Sequence, residues 1–135
     1  MNDEQSKRLS EAADALIQAS DALEEGRATL SDARFDSQVD RDRIAAAAQM
    51  SSKLDAAGKR IDDAVRKGTV AGAALARPGA YERYRDATAA IRDGRALARA
   101  ATEQDGSANK RAKGQEALAR LEAGLASAAV IVFGE

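Results

Sequence analysis

Apolar and very small residues recur at alternating steps of three and four along the first part of the chain: Leu9, Ala12, Leu16, Ala19, Leu23, Gly26, Leu30 and Ala33. Each seven-residue repeat carries one large and one very small side chain. The pattern predicts an α-helix over residues 3–34, with a seam whose small positions let another helix backbone come close. Asn2 and Gln5 have capping-box spacing, and Asp3 and Glu4 put negative charge at the positive end of the helix dipole.

The period lapses over residues 35–42 (FDSQVDRD), where Asp36, Ser37 and Asp40 are cap-type residues, so a turn is expected. The stretch has neither Gly nor Pro, however, and Ile44, Ala47, Leu54 and Ile61 stay in phase with Leu9 and Ala12. One continuous rod through both segments is the competing reading. A second helix is predicted over residues 40–67, with Ile44, Ala47, Ala48, Leu54, Gly58, Ile61 and Val65 on its seam. Asp55/Lys59, Asp62/Arg66 and Asp63/Lys67 are acid-then-base pairs one turn apart. Arg66 and Lys67 followed by Gly68 read as a helix end with a left-handed cap.

Residues 69–79 (TVAGAALARPG) read as a connection, with Pro78, the chain's one proline, marking the break. A third helix follows over residues 80–104, with Tyr84, Ala87, Ile91, Leu97, Ala98 and Ala101 inward, and Asp105-Gly106-Ser107 is a turn signal. A fourth spans residues 109–129 through Leu118, Leu121, Leu125 and Ala128. After it, Val130, Ile131, Val132 and Phe133 form a continuous apolar, mostly β-branched tail. Such a tail is rarely left bare. It is expected either to pack on the end of the bundle or to dock on a neighbour as an arm or strand, the neighbour being slightly preferred. The fold class is thus all-α: an up-and-down bundle or long helical hairpin of three to four Ala-rich amphipathic helices, in one domain over residues 1–135.

Composition alters this picture in one respect. The 44% hydrophobic content is mostly alanine, about a quarter of all residues. Alanine buries little area, so the apolar gain per helix is small, and self-association or a partner helix is a natural way to complete the core. Low net charge and regular apolar spacing argue against disorder. The absence of cysteine excludes disulfides and thiolate metal sites, and the polar first ten residues lack a signal-peptide core. No apolar run has the length of a membrane span. The expected location is the cytoplasm or an assembled particle. In composition the chain is similar to phage and bacterial structural or adaptor proteins.

Charge is unevenly spread. Residues 1–42 carry eleven acids and five bases, whereas residues 43–100 carry twelve bases and six acids. An acidic first helix is therefore expected to lie against the basic second or third helix, within one chain or between chains.

Little in the sequence supplies reaction chemistry. The absence of histidine excludes His-dependent triads and general bases as well as Glu-x-x-His di-iron sites. Ser107 and Lys110 have the S-x-x-K spacing of certain acyl enzymes, but the partner motifs are missing and a helix cap explains the serine. Asp36, Asp40 and Asp42 lack the EF-hand pattern and read as capping carboxylates. No catalytic, cofactor or metal residue is assigned. Arg83, Arg85, Arg92, Arg95 and Arg99, with Tyr81 and Tyr84, define an alternative nucleic-acid face, since arginine grips phosphate and tyrosine stacks on bases. Glu82, Asp86 and Asp93 interrupt it. The sequence therefore points to a non-enzymatic interaction or assembly protein that acts as a homo-oligomer or on another protein, through coiled-coil-like faces. The alternative is a small regulatory nucleic-acid binder.

Overall fold

The computed structural model describes residues 3–70 and 78–134. Four α-helices are described: α1 (Asp3–Leu30), α2 (Asp40–Val70), α3 (Ala80–Ala101) and α4 (Ser107–Phe133), with a short 3-10 helix, Ala33–Asp36, between α1 and α2. No strand occurs among the described residues. The architecture is an all-α bundle in which each helix runs antiparallel to the one before it. α1 packs most extensively on α2, and α3 on α4. α2 and α4 also touch across the centre, while α1 and α3 are not neighbours. The helices therefore stand at the corners of a flattened square, with α2 and α4 on its short diagonal.

The small residues explain this layout. Gly58 and Gly68 on α2, and Gly114 and Gly124 on α4, are buried and face neighbouring side chains. A Cβ on Gly114 would stand 2.7 Å from Leu30 and 2.9 Å from Met50, so the position holds those side chains as a socket. Around the sockets the large core residues Phe35, Met50, Leu54, Ile61, Leu121 and Ile131 are fully buried. They join Leu16, Leu23, Leu30, Val65, Ile91 and Val132 in one cluster that spans all four helices.

Several boundaries differ from the sequence expectation. α1 ends at Leu30, not near Arg34. Asp32 breaks it: its backbone is extended, and its carboxylate accepts the Arg34 backbone N–H at 2.8 Å, which starts the 3-10 helix. α1 and α2 are thus two helices, not one rod, and Ala33 leaves the seam and is exposed. The turn also carries Phe35 into the core. On α2, Ile44 and Ala48 are exposed rather than part of the seam, and Ala46, Met50, Ala57 and Ala64 are buried in addition to Ala47, Leu54, Ile61 and Val65.

α2 runs through Gly68 to Val70, so Gly68 is not a left-handed cap. The positive-φ glycines among the described residues are Gly79, Gly106 and Gly134. Gly68 serves contact instead, since a Cβ there would lie 3.2 Å from Val132 and 3.3 Å from Ile131. α3 ends at Ala101, short of Gln104, and Gly106, at a positive φ of 75°, turns the chain into α4 at Ser107. α4 continues through the apolar tail, with Gly134 N–H bonded to the Val130 carbonyl at 2.9 Å. Val130–Phe133 is accordingly the last turn of a helix and not an arm or strand. Asn2 of the expected capping box, and residues 71–77 of the connection, lie outside the described residues.

Candidate interaction surfaces

The seam residues of α1 face the interior of the bundle. Ala12, Leu16, Ala19, Leu23, Gly26 and Leu30 are buried, and Leu9 is half-buried against the core. A Cβ on Gly26 would stand 2.5 Å from Leu54, which places α2 in the notch left by the small residues. In the tail, Ile131 and Val132 are buried in the chain's own core, Val130 is half-buried, and Phe133 is 63% exposed.

Ion pairs hold the acidic α1 to its two neighbours. Lys53 reaches Glu25 at 3.0 Å and Lys67 reaches Glu11 at 3.8 Å, both from α2, while Arg27 pairs with Glu122 of α4. The expected contact of α1 with a basic helix is therefore made by α2 and not by α3. The outward residues of α1 include Asp14, Ile17 and Asp21, which share one side of the helix at 100° per residue. Ile17 is 61% exposed.

The five arginines of α3 do not act as one face. Arg95 lies across the α2 backbone at Gly58, where a Cβ would meet its side chain at 2.5 Å, and its Nε donates to Asp55 at 2.8 Å. Partial burial pushes the Asp55 carboxyl up. The Arg95 hydrogen bond and the charges of Arg95, Lys59 and Arg99 outweigh it, so the carboxyl titrates below its ordinary value. Arg83 projects from the opposite side of the helix to Arg92. Arg85, Arg92 and Arg99 remain as an exposed row at seven-residue spacing. Arg85 lies over the ring of Tyr81 at 6.0 Å, Arg92 pairs with the adjacent Asp93 at 3.2 Å, and Arg99 donates to the Arg95 carbonyl at 3.3 Å.

Sequence periodicity gave no sign of the strap at the other end of the bundle. Arg111 of α4 donates to the Leu30 carbonyl at 3.0 Å and the Asp32 carbonyl at 3.3 Å, and pairs with both carboxylate oxygens of Asp36 at 3.2 Å. Its guanidinium lies 5.1 Å from the Phe35 ring centre. One side chain thus caps α1 and fixes the 3-10 turn to α4. Arg34 braces the same turn through Asp32 and Gln49, and its hydrogen bonds hold the Asp32 carboxyl below the usual carboxylate range. A lone aromatic before a cap-rich stretch, with a helix arginine able to reach it, was the available signal.

The other polar motifs have local partners. Lys110 is buried and its ammonium donates to the Thr102 carbonyl at 3.0 Å, closing the end of α3. Asp36 pairs with Arg111, Asp40 with Arg43, and Asp42 accepts from Ser37 at 3.0 Å. No group of three or more carboxylates is placed to hold a metal ion among the described residues. The depression lined by Arg8, Asp63, Arg66 and Lys67 lies open at the surface. No helix among the described residues is long and apolar enough to cross a membrane. Comparison of the chain with protein-family models, curated proteins and solved structures returns no match.

Proposed function

We propose that this chain is a non-enzymatic assembly or adaptor protein that works through the outer faces of its helices, with protein as its partner. The observation that carries the reading is Ile17. It is a large aliphatic side chain, 61% exposed at the middle of α1, between Asp14 and Asp21, which have no ion-pair partner among the described residues. α1 thereby has a second amphipathic side beyond the seam it buries. Ile131 and Val132 complete the core from within the chain, so a partner is not needed to close it and contact falls to the outer faces.

Light scattering across concentration tests the proposal. The mass is expected to rise above that of one chain, or to do so on addition of a protein partner, and Ile17→Lys should weaken the association without loss of helix. Steeply salt-dependent binding of an oligonucleotide, lost on reversal of Arg85, Arg92 and Arg99, with the mass otherwise fixed at one chain, would instead assign the protein to nucleic acid.

A further inference from the structure

We infer that copies of this chain associate side by side, with the α1 ridge of one copy against the α3 ridge of the next. The inference rests on the reading of the protein as an assembly unit, and it names the partner as a second copy. α1 carries seven acids and three bases, whereas the outward row of α3 is Arg85, Arg92 and Arg99, with Glu82, Asp86 and Asp93 on its flank. These two helices are the pair that do not touch within the bundle. They occupy opposite corners, so every copy presents the acidic side of α1 at one corner and the arginine row of α3 at the other.

The ridges also match in register. Gly26 of α1 lies against Leu54 of α2, and Gly58 of α2 lies against Arg95 of α3. Counting along the antiparallel helices from these contacts sets Asp14 level with Arg85, and Asp21 level with Arg92, within one turn. Each pair is separated by the same seven residues, about 10.5 Å along the helix. α1 and α3 run in the same direction, so a copy shifted sideways without rotation brings Asp14 towards Arg85 and Asp21 towards Arg92. Ile17, between the two carboxylates, then meets α3 near Ala89, whose small side chain leaves room for it. Among the described residues Asp14 and Asp21 have no ion pair, and Arg85 and Arg92 of the row they meet make exposed local contacts with Tyr81 and Asp93.

Such a contact is heterologous. It uses a different surface on each copy, and it does not saturate at two copies but extends as a row or closes as a ring. One helix pair buries less than the roughly 1,200–2,000 Å² of a stable interface. The contact is therefore weak and carried by charge, and it should fade as the screening length shortens with added salt.

Sedimentation velocity on the full chain and on two charge-reversed variants tests this. In one, Asp14→Lys and Asp21→Lys set lysines opposite Arg85 and Arg92. In the other, Arg85→Glu and Arg92→Glu set glutamates opposite Asp14 and Asp21. At low salt the unaltered chain is expected to sediment as species larger than one chain, increasingly so with concentration. Each variant alone should associate at least tenfold more weakly, with unchanged circular dichroism because the altered side chains are exposed. An equimolar mixture should recover association, since each variant then meets a ridge of opposite sign. Association of both variants at full strength, or a mixture that does not recover, overturns the ridge contact while leaving an assembly unit that uses another face. A chain that stays single at every concentration and salt overturns both the contact and self-association.

Discussion

At the residue scale, packing depends on what stands opposite each glycine. At Gly94 a Cβ would meet Leu121 Cγ at 2.6 Å and the Ala117 backbone carbonyl at 3.3 Å, and Leu121 is fully buried. Overpacking of this kind costs about 1–3 kcal/mol, and the better helix propensity of alanine returns roughly 1 kcal/mol. Gly94→Ala is therefore expected to lower stability by about 1 kcal/mol. At Gly68 the nearest methyl groups stand at 3.2 and 3.3 Å, so the two effects nearly cancel and Gly68→Ala should change stability by less. Urea titration of the two variants distinguishes them. Acid stability has its own residue, Asp55. Its folded carboxyl titrates below the ordinary value of 3.8, so the unfolded chain binds more protons through that range and stability rises with pH there. The contribution is complete above the unfolded value and is lost as pH falls through the lower folded one. Asp55→Asn should lower stability at neutral pH and flatten its dependence in that acid window, as followed by thermal melts at a series of pH values.

At the element scale, the Arg111 strap and the end of α4 make opposite demands on the sequence reader. Arg111→Ala removes charge-assisted hydrogen bonds to the end of α1 and to the 3-10 turn, and is expected to cost about 2 kcal/mol. Arg111→Lys should recover only part of that, because lysine lacks the fork that reaches the Leu30 carbonyl and both Asp36 oxygens at once. In α4, Ile131→Ala should cost about 2–5 kcal/mol as a fully buried truncation, whereas Phe133→Ser should leave stability within about 0.5 kcal/mol. Thermal denaturation of these variants checks both statements. The helices and most of the α1 seam were legible because periodicity reports which face of a helix is buried. Helix ends were not, because contacts distant in sequence decided them. Gly68 has every local mark of a cap, yet it stays helical to admit Ile131 and Val132. The β-branched tail, a strand by texture, is the last turn of α4, with Ile131 and Val132 against Gly68. Of the candidate surfaces, the arginine row could be named from the sequence. Its split into an inward Arg95 and an outward Arg85, Arg92 and Arg99 required knowing where α2 stands.

At the scale of the whole molecule, the described ion pairs are mostly exposed and many join residues one helical turn apart, such as Arg66 with Asp62 and Asp63. Pairs of this kind contribute little to stability and are screened by salt. The melting temperature at a dilution where copies are apart is therefore expected to change little between low and high salt, and a large shift in calorimetry would contradict that. Another property of the molecule follows from its pairing of consecutive helices. Because α1 packs chiefly on α2 and α3 on α4, much of the native structure forms between segments that are close in the chain, and little entropy is lost in bringing them together. Chains with such local topology fold in microseconds to milliseconds, and stopped-flow or temperature-jump refolding should place this one there. Each hairpin can close on its own seam before the two meet, so the newly made chain spends little time with its alanine-lined faces bare to other unfolded molecules.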